Sequence, residues 1–383
     1  MIYFDHAASS FPKPEAVSAA VAKTINEIGA NPGRGGHKLS RQAGEIIDET
    51  RKALLQMFEA PKKERILFTY NATHALNQII QGIAFQPGDH IIMTVYEHNS
   101  VNRPVQRLKK EKNVDVSVIA PDTHEQWVKE VKDHLRPETR LVIVTHGSNV
   151  TGDIIPIREI GELLIDHPAW FGVDAAQTAG VLPISMKKDH IDLLACAGHK
   201  GLLGPQGTGV LLVSEQVTLS PLTTGGTGTK SEAIEQPEEW PYGFESGTLN
   251  TPGIAGLLKG IEAVNEQGYE RISSHEEGLA KYLVSELKEI PALQVVHPLQ
   301  TEKRLGVVSV KTDPLNSHEI AMILDEHYDI ACRAGLHCSP QVHHYLGTTE
   351  NGLLRFSFGL YNTMEEIDQL ISALKEITEH MME

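Results

Sequence analysis

The sequence lacks the features that mark secreted and membrane proteins. It has only three cysteines in 383 residues, which are too few for a disulfide scaffold and form no CxxC pair. It has no apolar run near the roughly 18 residues that a membrane-spanning helix needs. Its first ten residues, MIYFDHAASS, carry no basic stretch ahead of an apolar one, as a secretion signal would. From these absences we expect a protein of the reducing cytoplasm.

Positive charge is also scarce. The chain has 34 lysines and arginines against 50 aspartates and glutamates, a formal net charge of −16 with neutral histidines. Such a chain is repelled by phosphate backbones and anionic lipids, so neither nucleic acid nor membrane is expected as a partner. The hydrophobic share of 40% is that of a globular protein with a large core. The length predicts about two domains.

Helical and strand-like segments alternate from about residue 15 to residue 250. Apolar residues recur at helical spacing in segments 16–28, 45–58, 72–84 and 158–166. Runs rich in Val, Ile and Leu occupy segments 66–70, 90–97, 114–120, 140–146, 170–176, 191–197 and 207–213. Such strands between amphipathic helices are typical of a sheet covered on both faces. We therefore predict an α/β domain with a mostly parallel sheet at 15–253, after an N-terminal segment at 1–14.

The pattern changes after Thr251-Pro252-Gly253. Two long helical stretches, 254–267 and 272–290, precede short strands that alternate with further helices. This order predicts a smaller α+β domain at 254–383. Because ligands of open α/β sheets bind beyond the carboxyl ends of the strands, the loops after the strands of the larger domain should carry the site.

Asn71, Ala72 and Thr73 follow one of these strands at the start of a helix. Asn71 can cap the helix, and the amides of Ala72 and Thr73 with the Thr73 hydroxyl can hold a phosphate. An ordinary capped helix gives the same pattern, so both interpretations stay open here.

Lys200 lies in the glycine-rich turn AGHKGLLGPQGTG, directly after a buried strand. Glycines let the backbone approach a ligand closely. Burial would lower the pKa of the lysine from its ordinary value of about 10.4 and make it a usable nucleophile.

Other polar residues stand at the ends of strands or within them. His98 ends the strand at 90–97, and Asp174 and Gln177 close the segment that begins at 170. A structural histidine and a helix-capping aspartate are the ordinary alternatives. Arg355 lies inside an apolar strand, where an unpaired charge is costly, so it should have a carboxylate partner from the protein or from a substrate.

The segment CRAGLHCSP places Cys338 in a turn between strands, with Arg333 and His337 close by. Neighbouring cations lower the pKa of a thiol and raise its reactivity. A buried, inert cysteine is the alternative. His337, Cys338, His343 and His344 fit no structural zinc spacing well, so no metal site is predicted.

A lysine after a strand, an aspartate at a strand end, an aromatic-type ring at another strand end and a phosphate seat at a helix start make up the set that pyridoxal 5'-phosphate (PLP) requires. The chain resembles the cysteine desulfurase and selenocysteine lyase family, in the class V aminotransferase-like group of fold type I PLP enzymes. The resemblance runs nearly end to end. It rests on nine segments in order: YFDHAAS, NPGRGGHKLS, FTYNATHALN, YEHNSV, SNVTG, VDAAQTAG, AGHKGLLGPQGTG, FESGTLNTPGIAGL and RAGLHCSP.

The resemblance implies catalytic roles for three residues. Lys200 would be the Schiff-base lysine and proton shuttle, His98 would stack on the cofactor ring, and Cys338 would be the thiolate that attacks the substrate sulfur. The cofactor would be held by Ala72, Thr73 and His199 at its phosphate, Asp174 at its pyridine nitrogen, Gln177 at its phenolic oxygen, and Thr248 from the neighbouring subunit of a homodimer. The amino-acid substrate would be bound by Asn149, beside the cofactor, and by Arg355.

The implied function is a PLP-dependent cysteine desulfurase. It would convert L-cysteine to L-alanine and pass the sulfur, through a persulfide on Cys338, to an acceptor protein or thiol. A selenocysteine lyase or another class V enzyme is the alternative, and a non-catalytic scaffold is a third. Ala197 departs from the many relatives that have a phosphate-binding Ser or Thr there. The compact segment around Cys338 resembles the branch whose cysteine lies on a short, ordered segment.

Overall fold

The computed structural model describes residues 1–32, 36–62, 65–121, 123–228, 232–299, 303–312 and 314–382. Residues 33–35 of the NPGRGGHKLS segment lie outside these ranges. The strands are β1 (Ile2–Tyr3), β2 (Ile66–Thr69), β3 (His90–Thr94), β4 (Asp115–Ile119), β5 (Thr139–Thr145), β6 (Trp170–Asp174), β7 (Leu193–Ala197), β8 (Gly209–Val213), β9 (Gln294–Val296), β10 (Val307–Lys311), β11 (Ile330–Ala331), β12 (Arg333–Gly335) and β13 (Leu353–Ser357).

The α-helices alternate with these strands along the chain. They are α1 (Glu15–Lys23), α2 (Lys38–Met57), α3 (Ala72–Gly82), α4 (Asn99–Lys112), α5 (Trp127–His134), α6 (Ile157–Leu164), α7 (Thr251–Gln267), α8 (Tyr269–Glu286), α9 (Ser317–Tyr328), α10 (Pro340–Leu346) and α11 (Met364–Met382). The sequence patterns did not predict α4, α5 or α10, which are polar or short. Within the described ranges, no helix is both long and apolar enough to cross a membrane.

A seven-stranded sheet in the order β2-β8-β7-β6-β5-β3-β4 forms the centre of the molecule. Strands β7, β6, β5, β3 and β4 run parallel, whereas β8 is antiparallel to both β7 and β2. The predicted α/β class and the mostly parallel sheet are confirmed. The strand predicted at 207–213 is the exception, because a short glycine-rich connection returns it antiparallel beside β7.

Alternate residues of the central strands pack on opposite faces of this sheet. In β5, Leu141 and Ile143 join the core that includes α3 and α4, whereas Val142 and Val144 join the core that includes α2 and α6. Both faces of the sheet are therefore buried. Because of this, the sequences of the central strands are continuous apolar runs.

The smaller sheet is antiparallel, in the order β12-β13-β10-β9, and packs with α8, α9 and α11. The pattern of IACRA, residues 330–334, predicts a single strand, but the structure divides this segment into two. β11 pairs with the N-terminal strand β1, and β12 pairs with β13. The domain boundary at 253/254 stays a prediction. It falls inside α7, which packs against α1 and α2.

A buried ion pair joins α2, β2 and the segment before α7. Arg51 pairs with Glu245, and both side chains are less than a tenth exposed. The Arg51 Nε also donates to the carbonyl of Ile66 at 3.1 Å, and the second oxygen of Glu245 accepts from the amide of Phe68 at 2.7 Å. Each charge therefore has a partner in the dry interior, which makes its loss costly.

We expect Glu245→Gln to destabilise the protein by about 3–5 kcal/mol, because it leaves the Arg51 charge buried without its counter-ion. The matched control is Glu215→Gln, which breaks an exposed pair with Lys62 and should cost about 0–1 kcal/mol. Unfolding in urea, followed by circular dichroism, measures both. Equal losses in the two variants would contradict this role for the buried pair.

Candidate active site

A cavity of about 790 Å³ lies at the carboxyl edge of the large sheet, where it meets the smaller one. The ends of β5, β6 and β7 line it with Thr145, Asp174 and Ala197. Ten of the eleven predicted site residues line it as well: Ala72, Thr73, His98, Asn149, Asp174, Gln177, His199, Lys200, Cys338 and Arg355.

Lys200, which is half-buried, and Asp174, which is buried, are opposite charges that line this cavity. Burial lowers the pKa of Lys200 to about 8, and the cations Arg355 and Arg333 act in the same direction, whereas Asp174 opposes them. Burial also raises the pKa of Asp174, against the favourable effects of the Ala176 amide and of Lys200. The amide donates to Asp174 Oδ1 at 2.9 Å. The pair thus offers an amine that loses its proton close to neutral pH.

His98 is a neutral ring with a defined tautomer. Burial, followed by the nearby cations, lowers its pKa to about 4. Its Nδ1 caps α4 by accepting the amide of Ser100 at 3.1 Å. Since that nitrogen is an acceptor, the ring proton lies on Nε2.

The start of α3 forms a polar corner of the cavity. Asn71 caps the helix by accepting the amide of His74 at 2.9 Å, as predicted. The first amides of a helix have no acceptor inside the helix, so those of Ala72 and Thr73 are available to an anion. Across the corner, the Nδ1 of His199 is buried and has no hydrogen-bond partner among the described residues. An anion bound in this corner could pair with the amides of Ala72 and Thr73 and with the His199 ring.

Cys338 is exposed, yet its backbone is fixed. It lies in a turn, as predicted, but this turn joins β12 to helix α10 instead of joining two strands. His337 and Cys338 both have left-handed backbones, with φ of 47° and 60°. The carbonyl of Cys338 accepts from the Asn99 amide at 2.8 Å, and Asn149 Nδ2 donates to the carbonyl of His337 at 2.7 Å. No group of three or more potential metal ligands is found in the part of the chain that the structure describes.

Arg355 is 1% exposed and has the carboxylate partner that its position required. It donates to Asp5 Oδ1 at 2.6 Å and to the carbonyl of Asn149 at 2.9 Å. Its Nε is buried without a partner among the described residues. Asp5 belongs to the YFDHAAS segment, but nothing in the sequence singled it out as the partner. Arg333, opposite Arg355 across β12 and β13, also lines the cavity.

The N-terminal segment closes the side of the cavity. The amide of Ala7 donates to Ser357 Oγ at 2.9 Å, and its carbonyl accepts from Gln177 Nε2 at 3.0 Å. Ser10 Oγ donates to the carbonyl of Lys200 at 2.8 Å. This segment therefore bonds to residues of both sheets around the lysine.

Similar proteins agree with this geometry. The profile of the family described as aminotransferase class-V matches residues 2–370. A probable cysteine desulfurase of Pyrococcus abyssi is 36% identical over 388 aligned positions, which cover 100% of this chain and 95% of the relative. The chain belongs to the cysteine desulfurases of the aminotransferase class-V family.

Two further comparisons place it in the same family. The cysteine desulfurase of Escherichia coli O157:H7 is 32% identical, with 98% of this chain and 93% of the relative covered. The apo structure of the cysteine desulfurase from Thermococcus onnurineus NA1 has a TM-score of 0.91 and 36% identity, and covers 99% of this chain and 95% of that one. The predicted PLP fold type I is thereby confirmed.

Members of this family are PLP enzymes, and the residues of the cavity fit that cofactor. The unpartnered Nδ1 of His199 and the free amides of α3 suit an acidic phosphate, and Asp174 suits a protonated ring nitrogen. Lys200 supplies an amine for an aldehyde. Ala197, buried on the same wall, brings no hydroxyl.

Thr248 is the predicted residue that does not line this cavity. It is exposed and faces two other depressions, formed with the segments around residues 44–51 and 207–209. Its predicted role in the site of a neighbouring subunit stays a prediction.

We expect the Lys200 amine to react with formaldehyde and cyanoborohydride with a midpoint near pH 8, because its pKa is lowered to about 8. The matched control is Lys129, whose pKa is raised by Asp133, so its midpoint should lie above the ordinary value of about 10.4. Asp174→Asn should move the Lys200 midpoint lower still, since it removes the charge that favours the ammonium. Mass spectrometry of peptides measures the labelling. A Lys200 midpoint equal to that of Lys129 would contradict the burial argument.

Proposed function

We propose that this protein is a PLP-dependent cysteine desulfurase that converts L-cysteine to L-alanine and receives the sulfur on Cys338. The observation that supports this most directly is that Cys338 and Lys200 line one cavity although they are 138 positions apart in the sequence. The lysine suits the amine chemistry that the family shares. Desulfuration requires a thiol in addition, and the exposed Cys338 supplies it.

The cofactor would be held by the residues that the cavity collects. Lys200 would bind its aldehyde, Asp174 its ring nitrogen and Gln177 its phenolic oxygen. The α3 amides, Thr73 and His199 would bind its phosphate. When bound, PLP supplies an electron sink that weakens bonds at Cα and Cβ of an amino acid.

Lys200 is suited to move the substrate protons. With a pKa of about 8, its amine accepts a proton from Cα of the substrate and returns it at small energetic cost near neutral pH. His98 stays neutral because burial lowers its pKa to about 4, so it presents an Nε2–H donor instead of a second cation. This leaves the positive charge of the site to the arginines and the lysine.

Cys338 would act as the nucleophile toward the substrate sulfur. Its thiolate forms a sulfur–sulfur bond while the carbon–sulfur bond of the substrate breaks, and the electron pair of that bond stays with Cβ, which then takes a proton. The products are alanine and an enzyme persulfide. A thiol acceptor then takes the terminal sulfur and restores the cysteine.

Arg355 and Asn149 would bind the amino acid. The unpartnered Nε of Arg355 is the donor left over after the bonds to Asp5 and to the Asn149 carbonyl. A substrate carboxylate would accept a hydrogen bond from this Nε. The guanidinium would then have two carboxylate partners, Asp5 and the substrate. The same Asn149 side chain holds the backbone before Cys338, so substrate and nucleophile share a support.

A selenocysteine lyase, or another class V enzyme, would use the same lysine and aspartate. The placement of an exposed Cys338 in the cavity favours desulfuration, because those alternatives do not require a thiol there. We also propose a cytoplasmic homodimer in which Thr248 completes the partner's site. A sulfur acceptor would have to approach Cys338, since the backbone of this segment is held at residues 337 and 338.

We expect the purified protein, loaded with PLP and given L-cysteine and a thiol reductant, to release alanine and sulfide in equal amounts. Cys338→Ala should still bind PLP but lose sulfide release by at least about 100-fold, since the nucleophile is gone. Lys200→Ala should lose both products. The matched control is Cys332→Ala, because Cys332 does not line the cavity and burial raises its pKa to about 12. Sulfide release by Cys338→Ala at the wild-type rate would favour the other class V enzymes.

A hybrid dimer tests the role of Thr248. Thr248→Ala should weaken PLP retention and activity, although the residue lies outside the cavity of its own chain. A heterodimer of one Lys200→Ala chain and one Thr248→Ala chain then contains one intact site of two, so it should regain about half of the wild-type activity. If Thr248 acts within its own chain, both sites of the hybrid are damaged and no activity returns. Light scattering of the wild type checks the dimer itself.

A further inference from the structure

We propose that the hydroxyl of Ser100 is a ligand of the cofactor phosphate, in a cavity where Ala197 offers no hydroxyl. This inference rests on the proposed function, because it assumes that PLP occupies the cavity. The sequence resemblance assigned Ala72, Thr73 and His199 to the phosphate and gave Ser100 no role.

Ser100 lies where the starts of two helices meet. It is the second residue of α4, 6% exposed, and lines the cavity together with Ala72 and Thr73 at the start of α3. Its Oγ is 2.7 Å from Thr73 Oγ1. Helices α3 and α4 pack against each other, so the positive ends of both helix dipoles lie near this pair of hydroxyls. An anion that reaches Thr73 therefore also reaches Ser100.

In the protein alone, the Ser100 hydroxyl bonds only to neutral groups. Its Oγ lies 2.8 Å from His98 Nδ1, which carries no proton, so the hydroxyl donates to that nitrogen and can accept from the Thr73 hydroxyl. The backbone amide of Ser100 also donates to Nδ1, at 3.1 Å. The histidine therefore keeps an acceptor bond and its tautomer if the hydroxyl turns to a ligand.

A phosphate dianion is a better acceptor than either hydroxyl. Hydroxyl protons rotate to suit their partners, and bonds to a charged oxygen are about twice as strong as those between neutral groups. Both hydroxyls can therefore turn to the phosphate without any movement of α3 or α4. Ala197, at the end of β7, is buried, also lines the cavity and has only a methyl group to offer.

The experiment compares two ligands, PLP and pyridoxal, which differ only in the phosphate. Dissociation constants are measured by absorbance titration of the apoprotein. We expect Ser100→Ala to weaken PLP binding roughly 10-fold or more, the usual loss for one hydrogen bond to a charged group, and to leave pyridoxal binding unchanged. The matched control is Ser317→Ala, a buried serine at the start of α9 that does not line the cavity and should change neither constant.

A second variant adds a hydroxyl at position 197, where many relatives have a phosphate-binding Ser or Thr. Ala197→Ser in the Ser100→Ala chain should regain most of the lost PLP affinity, again without effect on pyridoxal. A double variant as weak as the single one counts against a shared phosphate site.

The other outcomes separate this inference from the proposed function. If wild-type protein binds PLP but Ser100→Ala binds it equally well, only the Ser100 inference is overturned. Equal losses for PLP and pyridoxal also overturn it, because the serine would then act through the orientation of His98. If the wild type does not bind PLP at all, both proposals fall together.

Discussion

The burial of two opposite charges, Lys200 and Asp174, is the constraint on which the rest of the site depends. Moving either charge out of water is costly unless the other is near. Asp174 favours the ammonium of Lys200, while burial and two arginines disfavour it, and the balance lowers the lysine pKa to about 8. Burial in turn raises the pKa of the Asp174 carboxyl, while a backbone amide and Lys200 act in the opposite direction. Neither group could be removed without changing the protonation of the other.

Asn149 joins the carboxyl edge of the large sheet to the segment around Cys338 and to the smaller sheet. Its Nδ2 donates to the carbonyl of His337, its Oδ1 accepts from Ser339 Oγ at 2.9 Å, and its own carbonyl accepts from Arg355. One residue that follows β5 thus fixes both the cysteine segment and the arginine. This explains how Cys338 keeps a left-handed backbone, which is unfavourable for a residue with a side chain, without a glycine at that position.

Features that depend on a local pattern or motif could be predicted from the sequence alone. Asn71 as a helix cap follows from its side chain and from the apolar spacing after it, and the parallel strands follow from their unbroken apolar runs. Helix α4 was not predicted because its sequence is highly polar and contains Pro104, a residue that usually ends a helix. The Arg355 partner could be expected but not identified, because Asp5 lies 350 positions away and only the tertiary fold brings them together. Ser100 was not predicted for a related reason. A serine two residues after a histidine gives no signal of a binding role until the fold places Thr73 opposite it.

The fixed backbone around Cys338 also constrains how sulfur can leave the site in the proposed reaction. A long mobile loop would carry a persulfide outward, at the cost of ordering that loop in each turnover. Here both residues 337 and 338 are hydrogen-bonded to residues that follow strands of the large sheet, so the thiol cannot travel far without breaking those bonds. The side chain is nevertheless exposed, as is Leu336 two residues before it. The outer side of the cysteine is therefore already open to an acceptor, and the hydrogen-bonded backbone keeps the thiol beside the cavity that Lys200 also lines.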